Sequence, residues 1–394
     1  MAEPQRVLVL NPISATGLSR LPADLYKVGK DVADPTAILV RSADMHKMTL
    51  PPSVRAIARA GAGTNNIPVP QMSQRGVPVF NAPGANANAV KELVLAGMLL
   101  AARRVVPALQ FVAGLNPDSP DLDKTVEDGK KSFAGYELAG QTLGIIGLGK
   151  IGCLVADAAI KLGMQVLGYD PDITVDAAWS LPSQVKRAAS VNEVLKTAQF
   201  VTLHVPLLPA TRGLVNGDNI GLMRNGAVLL NFSREGIVSD AAVLDALAAK
   251  KLGTYVCDFP SAALHGKAGV IALPHLGAST REAEENCAVM VIDQLRDYLE
   301  HGNVTNAVNF PNVSMPRESA FRVAIANANV PNMLGQISTA MARGGLNIHN
   351  MVNKSRGEMA YTIVDVDSPV APQVLDELAA IAGVLAVRYL PARG

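Results

Sequence analysis

Four segments of the chain place polar residues directly after apolar runs: Leu203-His204-Val205-Pro206, Asn231-Phe232-Ser233-Arg234-Glu235-Gly236, Cys257-Asp258-Phe259-Pro260 and Pro274-His275-Leu276-Gly277-Ala278-Ser279. Two of them carry groups suited to oxidising an alcohol that sits beside a carboxylate. An imidazole titrates near neutrality and accepts a hydroxyl proton, a task open to His275. A planar guanidinium holds a carboxylate through two bonds, a task open to Arg234. Taken singly, each has a plainer reading: a strand-end histidine in a structural hydrogen bond, an arginine in a surface ion pair. His204, in a Val-Pro context that suggests a shaped loop, reads as a wall residue near a cofactor.

That chemistry needs a hydride acceptor, and one segment is built to hold one. The apolar run Leu143-Gly144-Ile145-Ile146 stops at Gly147-Leu148-Gly149-Lys150-Ile151-Gly152, a G-x-G-x-x-G spacing, and Asp170 follows eighteen residues after the last glycine. Gly147 makes the turn out of a strand, where a side chain would be forced into positive φ. Gly149 lets backbone approach a pyrophosphate, and Gly152 lets a helix pack on the sheet. The helix start then offers unpaired N–H groups to phosphate. Asp170, at the end of the next apolar segment, can accept from an adenosine ribose. With Asp172 it repels a 2′-phosphate, so NAD is expected rather than NADP.

The chain has 394 residues, 49% of them apolar, and a formal net charge of +1, so two or three domains with large cores are expected and no basic footprint for nucleic acid or membrane exists. No charged-then-apolar leader opens the sequence, and the apolar stretch near Leu93–Leu100 stops at Arg103-Arg104. Cys153, Cys257 and Cys287 form no C-x-x-C and read as reduced thiols of a cytoplasmic protein. The histidines are scattered, so no metal site is expected.

Short apolar strands at 6–11, 36–41 and 77–81 alternate with helical patterns, which predicts a parallel sheet. A long helical pattern, Asn88 to Arg104, leads into a second α/β unit whose later strands lie at 200–205, 227–232, 254–258 and 270–274. A helix is expected over 281–301, and a linker with two prolines over 311–319. After it the pattern is βαββαβ, with strands at 321–327, 346–352, 359–366 and 384–389, a ferredoxin-like order.

Together the glycine fingerprint, the Asn-x-x-Arg segment at 231–234 and Pro-His-Leu-Gly-Ala-Ser-Thr at 274–280 resemble the D-isomer-specific 2-hydroxyacid dehydrogenases, in that family's order. The run Ala278-Ser279-Thr280 followed by Glu282-Ala283-Glu284-Glu285-Asn286 is similar to the branch that acts on 3-phosphoglycerate, and the last domain resembles an ACT domain. The resemblance implies an α/β fold with three parts. A flavodoxin-like substrate domain takes residues 1–95, completed by 285–312. A Rossmann-type NAD domain takes 96–284, and a ferredoxin-like (ACT) βαββαβ regulatory domain takes 319–394. It implies His275 as acid/base and Arg234 as the clamp on the substrate carboxylate. It assigns Lys150, Ile151, Asp170, Phe232, Ser233, Asp258, Gly277 and Ala278 to NAD. The substrate would be held by Arg41, Ser42, backbone near Gly63 and Asn86, with Lys130 or Lys131 at its phosphate. The activity implied is oxidation of 3-phospho-D-glycerate to 3-phosphohydroxypyruvate, the first step of serine synthesis. L-serine is the expected effector at Asn329 and Asn347, in a homodimer or homotetramer.

The sequence departs from the family at one point that matters. Relatives place a glutamate shortly after the Asp-Phe segment to orient the histidine; here Ala262 stands there. Asp258 or another acid serves instead, or the histidine works unassisted. The departure keeps two other readings open: a dehydrogenase for another D-2-hydroxy acid such as 2-hydroxyglutarate, and a nicotinamide-sensing binding protein.

Overall fold

A computed structural model describes residues 3–392. The chain divides into two compact units, Met1–Asn86 with Arg281–Gly394, and Ala87–Thr280. The first segment gives β1 (Gln5–Val9), α1 (Ala15–Leu18), β2 (Tyr26–Gly29), β3 (Ala37–Val40), β4 (Ala56–Arg59), α2 (Val69–Gln74) and β5 (Val79–Phe80). The middle segment gives α3 (Ala87–Ala102), α4 (Val105–Ala113), α5 (Leu122–Gly129), β6 (Thr142–Ile146), α6 (Lys150–Lys161), β7 (Gln165–Tyr169), α7 (Val175–Ser180) and β8 (Lys186–Arg187). It continues with α8 (Val191–Thr197), β9 (Phe200–Leu203), β10 (Ala227–Asn231), α9 (Asp240–Ala248), β11 (Leu252–Cys257) and β12 (Val270–Ala272). The last segment gives α10 (Arg281–His301), β13 (Phe321–Ala328), α11 (Met333–Arg343), β14 (Ile348–Arg356), β15 (Met359–Val366), α12 (Pro372–Ala379) and β16 (Val384–Pro391).

In the nucleotide-fingerprint unit, a seven-stranded parallel sheet runs β12-β11-β10-β9-β6-β7-β8. The order reverses beside β6, the doubly wound pattern that opens a crevice at the strands' carboxyl ends. Helix α3 forms because apolar residues recur at helical spacing: Val90, Val94, Met98 and Ala101 are all buried, packed with Leu143 and Ile145. Each large side chain so buried is worth about 1.5–3 kcal/mol. Gly97 lets the helix sit close to the sheet, since a Cβ there would meet Phe232 and Val256 side chains at 3.1 Å. The boundary expected at 95/96 therefore falls inside one continuous helix, and the units meet in sequence at 86/87 and 280/281.

In the other unit, β2-β1-β3-β4-β5 form a five-stranded parallel sheet in flavodoxin-like order. Helix α10 returns to this sheet and buries Val291, Leu295, Tyr298 and Leu299 with Val7, Leu39 and Phe80. The C-terminal sheet, β14-β15-β13-β16, is antiparallel. Its central strands are buried on both faces, as the two-residue period allows. Val323, Ile325, Val364 and Val366 pack with α11 and α12 residues such as Ile337, Met341 and Leu378. Ala324, Ala326, Tyr361 and Ile363 face the other way and share a core with Tyr298 and Phe310.

The stretch expected to be a linker is thus packed, not a tether. Val313 and Met315 are buried, and Val313 pairs with Val304. Prolines remove backbone donors, but the carbonyls remain useful: Arg322 donates to those of Met315 (3.0 Å) and Pro316 (2.9 Å). Arg322 and Asp365 face each other in the β13–β15 register and form a fully buried two-bond ion pair at 2.6 and 2.9 Å. Burial pushes the Asp365 carboxyl up, but the Arg322 guanidinium and the Glu318 amide outweigh it and hold it below the usual range.

Candidate active site

One line of paired residues crosses the large sheet: Tyr169, Ile146, Leu203, Asn231, Cys257 and Ala272 stand opposite one another in successive strands. Every candidate in this unit except Lys130 and Lys131 lies just beyond that line. Asp170, Gly147, His204 and Asp258 are the next residues along their strands, while Arg234 and His275 both come three residues after it. Arg234 and His275 leave β10 and β12 with β11 between them, so their strands are about 10 Å apart. Shared register, rather than nearness in sequence, brings these groups to one edge.

At β6 the glycines do what their spacing requires. Gly147 has φ +95°, and a Cβ on it would meet the His204 carbonyl at 2.5 Å. A Cβ on Gly152 would meet the Gly147 carbonyl at 2.1 Å, so only glycine lets α6 start this close to the turn. At Gly149, by contrast, a Cβ would meet nothing within 4 Å; the loop is open there. Gly149 is the N-cap of α6 and supplies no side-chain cap. The first N–H groups of α6, from Lys150 onward, are left for a ligand. Asp170 is half-buried; it accepts from the Leu148 N–H (2.8 Å) and the Asp172 N–H (3.0 Å), which fixes its carboxylate against the glycine turn. A loop open at one glycine, with free amides and a fixed acid beside it, fits a dinucleotide pyrophosphate and ribose.

His204 is half-buried, and burial pushes its pKa down to about 3. Its ring pairs with the Thr202 hydroxyl at 3.0 Å, and its Nδ1 has no partner among the described residues. It stays neutral and is no proton carrier near neutrality. Phe232 and Ser233 are buried; the Phe232 ring is core, and the Ser233 hydroxyl donates to the Leu203 carbonyl at 2.5 Å. What they offer a cofactor comes through their main chain. Arg234 is exposed and among the described residues its side chain donates only to the Ser233 carbonyl (2.7 Å), while the Asn231 amide donates to the Arg234 carbonyl (2.9 Å) and fixes the turn.

His275 is exposed, with a left-handed backbone (φ +57°) and its ring tilted against Phe259 at 4.9 Å. No carboxylate pairs with it among the described residues. Asp258, 1% exposed, spends both oxygens on the backbone: it accepts from Leu276 N–H (2.7 Å) and Gly277 N–H (2.8 Å). Burial raises its carboxyl above the usual range, partly offset by those amides and by the charge of His275. Asp258 therefore holds the loop that carries His275 rather than its ring. Ala278 is exposed beside it.

The remaining candidate residues lie elsewhere. Lys130 and Lys131 are exposed on a 3₁₀ turn in this unit and pair with Glu127 and Asp128. In the other unit, Asn11 accepts from the N–H groups of Arg41, Ser42 and Ala43 at 2.8–3.2 Å and shapes the β3 exit. The Arg41 guanidinium pairs with Glu284 at 2.5 Å, and Arg59 donates to the Arg41 carbonyl at 3.0 Å. Gly63 lies in the loop after β4, whose Ala62 carbonyl accepts from Asn81 (2.5 Å), and Asn86 ends this segment. Asn11 and Arg59 were not singled out in the sequence, and Glu284 was named there only within the 282–286 run. Nothing local marks Arg59; it reaches Arg41 because Val40, the residue before Arg41, pairs with it in the β3–β4 register.

The two asparagines of the C-terminal sheet do not meet. Asn329 follows β13 at the end where Ala328 pairs with Met359, and donates to the Gly357 carbonyl (3.0 Å). Asn347 precedes β14 at the end where Ile348 pairs with Val366, itself opposite Phe321. One chain holds them at opposite ends of the sheet.

Comparison with known proteins shows the family. Residues 95–277 match the family described as D-isomer specific 2-hydroxyacid dehydrogenase, NAD binding domain. The chain is 35% identical to the D-3-phosphoglycerate dehydrogenase of Methanocaldococcus jannaschii over 79% of its own length and 57% of that protein's. It is 32% identical to the D-3-phosphoglycerate dehydrogenase of Escherichia coli strain K12, over 83% of this chain and 79% of that one. In fold it is similar to a cofactor (NAD+) bound 3-phosphoglycerate dehydrogenase of Entamoeba histolytica, with a TM-score of 0.61, 24% identity and coverage of 78% and 99%. The chain belongs to the D-isomer-specific 2-hydroxyacid dehydrogenases, NAD-dependent oxidoreductases that act on a CH–OH group.

Proposed function

We propose that this chain oxidises 3-phospho-D-glycerate to 3-phosphohydroxypyruvate in the cytoplasm, opening L-serine synthesis. The observation that carries the reading is the common register offset of Arg234 and His275 at the sheet edge that also carries the glycine turn. When bound, NAD supplies the hydride acceptor. Arg234 holds the substrate carboxylate and polarises the C2 oxygen, and His275 takes the hydroxyl proton. His204 stays uncharged, so His275 is the base. Arg41, Ser42, Gly63 and Asn86 bind the substrate, and Lys130 or Lys131 the phosphate. Those lysines are exposed, and their present ion pairs are of the weak solvent-facing kind that a phosphate can displace.

NADH absorbance on mixing protein, NAD and each acid tests this. Growth with 3-phosphoglycerate at a kcat/KM well above that for 2-hydroxyglutarate is expected. Preference for 2-hydroxyglutarate would move the substrate assignment, and no growth with either would leave a binding protein. Serine regulation belongs to the same reading. Because one chain keeps Asn329 and Asn347 apart, an amino-acid site using both takes two copies, placed head to tail. L-serine should then lower turnover of the oligomer, and Asn347→Ala should remove the effect. Unchanged turnover in millimolar serine, with no binding heat, would reject it.

A further inference from the structure

A cavity of about 550 Å³ lies where the last strand of the C-terminal sheet meets the N-terminal sheet and α10, and three arginines line it: Arg55, Arg75 and Arg388. None of the residues proposed for substrate or NAD lines it, and no aspartate or glutamate does. Among the described residues none of the three guanidinium groups has an ion-pair partner. Two are fixed in place by carbonyls. Arg75 donates to Leu50 (3.2 Å) and Pro51 (2.7 Å). Arg388 donates to Tyr298 (3.0 Å) and Leu299 (3.1 Å), and its guanidinium lies 4.2 Å from the centre of the Tyr298 ring. Each guanidinium has five N–H groups, so both keep donors to spare.

Those bonds give Arg75 and Arg388 structural tasks, one holding the loop before β4 and the other capping the end of α10. They do not account for Arg55, which is exposed and makes no side-chain hydrogen bond or ion pair among the described residues. The floor of the cavity is also closely fitted. A Cβ on Gly76, at φ +66°, would meet the Ala386 Cβ at 2.7 Å. Leu50, Val77 and Leu385 supply apolar wall. The volume is that of a small-molecule site, and pre-placed guanidinium forks match phosphate and carboxylate geometry.

We propose that this cavity binds a small organic dianion, a phosphomonoester or a dicarboxylate, at a site distinct from the catalytic one. Its walls come from β16, from the segments flanking β4 and α2, and from α10, so an occupant ties the C-terminal sheet to the N-terminal one.

Calorimetric titration of the full chain, saturated with NADH in a chloride buffer, tests it with two probes, inorganic phosphate and succinate. The titrations are repeated on Arg55→Glu. That variant should fold as the parent does, since Arg55 is exposed and unpaired, and should keep kcat and KM. Expected is one class of anion site in the parent that weakens at least tenfold in Arg55→Glu. Loss confined to phosphate assigns the phosphomonoester, and loss confined to succinate assigns the dicarboxylate. Identical titrations of parent and variant with both probes, or no anion uptake by the parent beyond that of the variant, would overturn the proposal.

Discussion

Asp170 and Asp258 stand one residue past the same register line of the same sheet, and each gathers two backbone N–H groups. Their surroundings differ. Asp170 is half-buried at the outer end of the fingerprint, and its two amides come from the glycine turn and from its own loop. Asp258 is buried, and both its amides belong to the segment that follows His275. The same local device therefore serves two ends. At β7 it leaves a carboxylate with spare lone pairs open to solvent, where a ribose can reach it. At β11 the same two bonds lie buried, away from solvent, and their product is the position of an imidazole. Asp365 extends the comparison: buried like Asp258, it takes one backbone N–H, that of Glu318, but meets a charge, Arg322, through both oxygens.

The largest effect should come from the group Asp258 positions. His275→Gln is expected to lower kcat/KM by about 10²- to 10⁴-fold, the range for loss of a general base, with NADH affinity retained. A loss below tenfold would mean that Asp258 is holding a loop with no acid/base on it. Next is Asp365→Asn, which leaves the Arg322 charge buried without its partner and should cost about 3–5 kcal/mol of stability in denaturant unfolding. The sign of its pH dependence follows from the lowered carboxyl. Stability from this pair is fully present above the unfolded value of about 3.9 and is lost as pH falls through the lower folded value. Acid unfolding of Asp365→Asn should lack that component. The double variant Arg322→Met/Asp365→Leu should recover much of the loss.

Asp258→Asn comes third. An amide side chain turns an NH₂ toward one of the two N–H groups that the carboxylate accepts, so the His275 loop loosens. Misplacing a catalytic group by about an ångström costs up to about 100-fold, and kcat/KM should fall about 10- to 100-fold through kcat. The shape of the pH–rate profile should stay, because Asp258 touches the loop and not the ring. A moved profile with undiminished kcat would make Asp258 the direct partner that Ala262 fails to be.

Much of this end of the molecule is legible in the sequence because it is local. Three glycines, an acid at a fixed distance and apolar runs ending in polar residues specify β6, α6 and the strand exits without any long-range information. The C-terminal βαββαβ order is legible for the same reason: its strands alternate and its helices are periodic. What escapes is whatever depends on which strand lies beside which. The pairing of Arg41 with Glu284 joins residues 243 apart, and nothing local marks it. The stretch at 311–319 reads as a linker from its prolines, yet Val313 and Met315 are buried because Tyr298 and Tyr361 complete a core around them. The boundary inside α3 fails similarly, since a helix's own pattern does not say which sheet it packs on. The separation of Asn329 from Asn347 needs the β13–β15–β14 register. From sequence alone, both are simply asparagines near helix ends.

Asp170 gives the smallest effect and the cleanest contrast with Asp258. Removing its charge by Asp170→Ala should leave kcat with saturating NAD within a few-fold of the parent, because its carboxylate touches neither His275 nor Arg234. Two things change at once. The ribose loses an acceptor, so KM for NAD rises, and the Leu148 N–H loses its partner, so the glycine turn is held less firmly. A cofactor carrying a 2′-phosphate no longer meets a fixed anion, leaving Asp172 as the nearest acid along the chain. The ratio of kcat/KM for NAD over NADP should fall by about tenfold, a difference of about 1.4 kcal/mol. Steady-state kinetics with both cofactors measure it. An unchanged ratio would assign Asp170 to the turn alone, and the two strand-end acids would then share a single role, holding backbone.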